Sequence, residues 1–96
     1  MPRFMLESYP VGVSTEQLAA AFTRAADVAA QLRVSGIEVR LVESTLVPSE
    51  DSLFCIFDAP SREVVEAVVI RSGVPFERLV EVVDVGPAAG FAGEEG

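Results

Sequence analysis

The stretch Ser52-Leu53-Phe54-Cys55-Ile56-Phe57-Asp58 decides the reading of the fold. It is the length of one strand, is bounded by the turn sequence Pro48-Ser49-Glu50-Asp51 and by Ala59-Pro60, and carries five apolar residues in a row. A strand with one wet face alternates apolar and polar side chains. Here Phe54 and Ile56 fall on one side and Leu53, Cys55 and Phe57 on the other, so the sequence predicts a central strand with both faces covered.

Upstream, Ile37 to Leu46 sets Ile37, Val39 and Leu41 against Glu38 and Arg40, which reads as a half-buried strand. Before it, Ser14 and Gln17 have capping-box spacing, and Leu18, Phe22, Ala25, Ala29 and Leu32 repeat at helical intervals up to Gly36. Arg3 to Tyr9, closed by Pro10 and Gly12, reads as the first strand. Downstream, Pro60-Ser61 opens a second helix with Val64, Val65, Val68 and Val69 as its buried stripe, and Gly73-Val74-Pro75 ends it. Arg78 to Val85 is the last strand, and Gly86 to Gly96 reads as a flexible tail.

The order β-α-β-β-α-β predicts an α+β, ferredoxin-like domain over residues 1–85, a four-stranded antiparallel sheet with two helices on one face. The helices cover one side of the third strand. The cheapest cover for the other side is an identical sheet, so the sequence predicts a homodimer.

Composition narrows the function. The chain has 96 residues, half of them hydrophobic, with fifteen acidic residues against seven basic ones, a net charge of −8. That size fits one domain. That charge repels phosphate backbones, which argues against nucleic acid as a partner. No apolar run is long enough to span a bilayer, and the N-terminus reads as a strand rather than a signal peptide, so a cytoplasmic location is expected. All seven basic residues are arginine, a usage that goes with GC-rich coding and points to an actinobacterial source.

No histidine is present, which excludes Ser-His and Cys-His catalysis, and no Gly-rich phosphate loop follows a strand. The single cysteine, Cys55, makes no internal disulfide. The candidate site is therefore the sheet face away from the helices. Alternation on the first strand sends Phe4 and Leu6 to the core and Met5, Glu7 and Tyr9 to that face. The same logic sends Glu81 there, and on the second strand Glu38, Arg40, Val42 and Ser44.

Met5, Glu7, Tyr9, Arg40, Val42, Cys55 and Glu81 are the expected lining of a cavity between two sheets, with Glu7, Glu81 and Cys55 as its potential metal ligands. The Glu7, Glu81 and Arg40 group admits three readings: a divalent-cation site, an acid/base pair for a cofactor-free pocket enzyme, or an ion network that only sets register. Cys55 reads more readily as a buried structural residue than as a thiolate, because nothing beside it in sequence would activate it. A structural dimerisation module without ligand is the third functional possibility.

The stretches Pro2-Arg3-Phe4-Met5-Leu6-Glu7, Phe54-Cys55-Ile56-Phe57-Asp58-Ala59-Pro60 and Gly73-Val74-Pro75, then Arg78-Leu79-Val80, resemble a family of small bacterial domains, mostly of unknown function, that includes a Streptomyces nickel-binding protein. The resemblance spans residue 2 to about residue 85. It implies a dimeric ferredoxin-like barrel that binds a metal or a small ligand. The missing histidine removes the nitrogen ligand a nickel site would use, so nickel itself is not carried over.

Overall fold

The computed structural model describes residues 1–10 and 12–86. The tail expected from Gly86 onward lies, from residue 87, outside the described residues. The elements are β1 (Arg3–Ser8), α1 (Thr15–Val34), β2 (Arg40–Val47), a single 3-10 turn (Pro48–Glu50), β3 (Ser52–Asp58), α2 (Arg62–Ser72) and β4 (Arg78–Val82). The sheet order is β2-β3-β1-β4, every neighbouring pair antiparallel.

Helix α1 starts where its capping box predicts. The Gln17 amide donates to Ser14 Oγ at 3.1 Å, and the Ser14 amide donates to Gln17 Oε1 at 2.9 Å, so two otherwise orphan donors are satisfied reciprocally. Its end explains why the second strand begins three residues later than the sequence reading placed it. Gly36, at φ 94°, donates to the Arg33 carbonyl, and the Ile37 amide reaches back to Leu32 O at 2.9 Å. This paired closure is a Schellman motif, so Ile37 belongs to the helix cap and β2 starts at Arg40.

Helix α2 is capped by Ser61, whose Oγ accepts from the Val64 amide, and ends at Gly73 with φ 73°. Both helices lie on one face of the sheet. Leu18, Ala21, Ala25 and Ala29 of α1 and Val65, Val68 and Val69 of α2 are buried in one cluster with Phe4, Leu6, Leu53, Cys55, Phe57 and Leu79. This is the core expected of β3's inner side. No helix among the described residues is long and apolar enough to cross a membrane.

The register carries one irregularity. Leu41 stands opposite Phe57 and Glu43 opposite Ile56, so Val42 is an extra residue, a β-bulge. An inserted residue reverses the facing of everything after it. Ser44 therefore stands opposite Cys55 on the helix-covered side, whereas uninterrupted alternation placed it on the other.

Candidate functional site: the uncovered face of the sheet

Residues opposite one another in a ladder share a face, so the register assigns the face away from the helices directly. Across it run Arg40, Asp58, Arg3 and Val82, then Glu43, Ile56, Met5 and Val80, then Thr45, Phe54, Glu7 and Arg78. Its middle is apolar: Met5, Phe54, Ile56, Val80 and Val82 are all half-buried, with no helix over them. The alternation of β3 is therefore as expected, Leu53, Cys55 and Phe57 inward and Phe54 and Ile56 outward.

Charged groups frame that apolar middle at both ends. At one end Arg3 grips Asp58 through two hydrogen bonds, Nε to Oδ1 at 2.8 Å and Nη2 to Oδ2 at 3.1 Å. A forked guanidinium-carboxylate contact of this kind is stronger and more directional than a single one. Arg3's hydrogen bond holds the Asp58 carboxyl below its usual range, and the same contact raises the guanidinium. Asp84 approaches Arg3 at 3.5 Å. At the other end Arg78 lies 3.3 Å from Glu7, whose side chain is only 14% exposed, and the Tyr9 hydroxyl donates to Glu7 Oε2 at 3.5 Å. A cleft of about 400 Å³, lined by Arg3, Asp58, Glu81, Val82 and Asp84 among others, opens at the Arg3 end.

Of the residues expected to line a cavity, Met5, Glu7 and Arg40 share the open face, Tyr9 adjoins it, and Val42 is the bulge residue, 41% exposed. Two do not join them. Cys55 stands opposite Leu6 on the helix side and is fully buried. Removal from water pushes its thiol up to about 11, against a smaller opposing effect from a hydrogen bond with Ser44.

Glu81 stands opposite Phe4, also on the helix side, and reaches solvent because β4 is an edge strand. The residue across from Glu7 is Arg78, so the expected carboxylate pair is instead an ion pair. Glu7, Glu81 and Cys55 thus do not converge. No group of three or more His, Cys, Asp or Glu side chains among the described residues is placed to hold a metal ion. The sequence reading missed Arg3, Asp58 and Arg78. Only cross-strand register reveals their pairing with one another and with Glu7.

The element order, the strand order and the helices on a single face define a ferredoxin-like α+β domain. Within that class, the chain belongs to the SCO4226-like family of nickel responsive proteins, which it matches over residues 4–82. The crystal structure of SCO4226 from Streptomyces coelicolor A3(2) is similar to it with a TM-score of 0.71 and 22% sequence identity, covering 88% of this chain and 99% of that one. That likeness supports the fold. No curated protein matches the chain.

Proposed function

We propose that the protein is a small homodimeric binding protein in which the open faces of two sheets meet and the space between them takes a small molecule. The observation that carries this reading is the half-buried patch of Met5, Phe54, Ile56, Val80 and Val82 opposite the helices. A connected apolar patch on a small domain is costly in water and marks an interaction surface.

Charge favours a second copy as the occupant. The chain carries −8, yet the open face sets three arginines, Arg3, Arg40 and Arg78, against three carboxylates, Glu7, Glu43 and Asp58, so its charges balance. Two copies therefore meet through a neutral surface while their acidic surfaces stay apart, and a two-fold contact buries the same patch twice. Tyr9, Glu7 and Arg78 supply polar groups at the margin to orient a bound molecule whose body lies against Met5 and Phe54.

Native mass spectrometry and light scattering of the purified chain test the reading. The expected result is a dimer that carries an additional small mass or gains thermal stability from a ligand. Ile56→Arg is expected to give a folded monomer, because it places an uncompensated charge in the middle of the patch. A monomer mass for the unaltered chain at micromolar concentration refutes the dimer. A dimer that carries no added mass and is stabilised by nothing in a metabolite screen refutes the binding role.

A further inference from the structure

We infer that in this member of the family the guanidinium groups of Arg3 and Arg78 neutralise the carboxylates of the open sheet face in place of a metal ion, and that its ferredoxin-like domain takes no nickel. The family is described by its response to nickel, so the donors of this chain are the decisive observation.

Nickel favours imidazole nitrogen, whereas carboxylate, carbonyl and water suit magnesium, calcium and manganese. The chain has no histidine, so imidazole is excluded throughout its length. Its one thiol, Cys55, is enclosed in the core between the sheet and the helices, with Leu6 and Ser44 beside it in the neighbouring strands. Reaching it would require opening the domain.

On the open face Asp58 and Glu7 are already engaged, and Glu43 stands there as a single carboxylate. Both oxygens of Asp58 are taken by the fork of Arg3, and Glu7 is held by Arg78 and the Tyr9 hydroxyl. A divalent cation at either position would have to displace a guanidinium and leave that like charge beside itself. Glu81, the third expected ligand, stands on the opposite side of the sheet by register. Although it edges the cleft that Asp58 and Asp84 also line, no three such carboxylates among the described residues are placed to hold a metal ion. A second copy of the chain adds neither an imidazole nor an exposed thiol, since a two-fold contact duplicates one surface.

The test uses the full chain, stripped with EDTA, incubated with excess NiCl2 and desalted, then measured by elemental analysis, native mass spectrometry and near-ultraviolet absorption. The expected result is no retained nickel, no thiolate-to-nickel absorption band and an unshifted Tm. One nickel per chain or per dimer overturns the inference, and so does a nickel-induced band that disappears in Cys55→Ala.

A second arm uses Arg3→Gln. Its Tm is expected to fall below that of the unaltered chain and to stay there when NiCl2 is added. An unchanged Tm, or one that NiCl2 restores, also overturns the inference. The same mass spectrum separates this inference from the dimer: a nickel-free monomer sinks only the dimer, and a nickel-loaded dimer sinks only this inference.

Discussion

Raising the pH should destabilise this protein through one buried thiol. Cys55 has no exposed surface, and burial moves its thiol from 9.0 to about 11. The folded state thus keeps a proton that the unfolded chain releases. The stabilisation from this group is complete below about pH 9 and is lost as the pH rises through about 11. At pH 11 the difference between the two states amounts to about 2 kcal/mol, from roughly 1.4 kcal/mol per pKa unit less the part still protonated. A domain of this size has roughly 5–14 kcal/mol in all, so the loss is large, on the order of 10 °C in Tm. Thermal unfolding followed by circular dichroism at pH 8 and pH 11 measures it, with Cys55→Ala as the reference that lacks the thiol. Arginines, Tyr9 and the acidic groups are common to both chains and cancel. The unaltered chain should lose about 2 kcal/mol more than the variant between the two pH values. Parallel losses in the two chains would refute the placement of Cys55 inside the core.

Two further outcomes follow from the polar contacts. Asp58, held below its usual range by Arg3, stabilises the fold above about pH 3.8, the unfolded value, and that contribution disappears as the pH falls through the lower folded value. Asp58→Asn should therefore show a flatter acid limb in a plot of Tm against pH, and an identical limb would remove the ion pair from consideration. Ser14→Ala deletes the hydroxyl end of the capping box and should cost about 1 kcal/mol in urea unfolding, with the subunit mass unchanged. A cost below a few tenths would show that the helix start is held by packing instead.

What the sequence by itself determined rests on neighbours along the chain, although Ile37, which reads as strand, belongs to the local closure of α1 after Gly36. Ser14 and Gln17 lie within one turn of each other, so their hydrogen bonds to the backbone are local and their spacing suffices to place the start of α1. Gly73 ends α2 for an equally local reason, a left-handed backbone that glycine adopts without strain. The two apolar sides of β3 were visible in five consecutive residues, and with the element order they were enough for the fold. Even Met5 and Glu7 were placed correctly, because alternation within one uninterrupted strand is also local.

Tertiary structure alone decided the partners of the site. Whether Glu7 faces Glu81 or Arg78 depends on the offset between β1 and β4, and a shift of one residue moves every side chain to the opposite face. The bulge at Val42 has the same effect within β2: nothing in Leu41-Val42-Glu43 announces an extra residue, yet it sends Ser44 to the side of Cys55. Arg3 and Asp58 are 55 positions apart in sequence and meet only because β1 lies beside β3. Cys55 could be read as ligand or as core until the helices were seen to cover its side of the sheet. Local backbone chemistry thus determined the elements, whereas the contacts that define the open face are cross-strand contacts, set by register and closed only when the strands assemble.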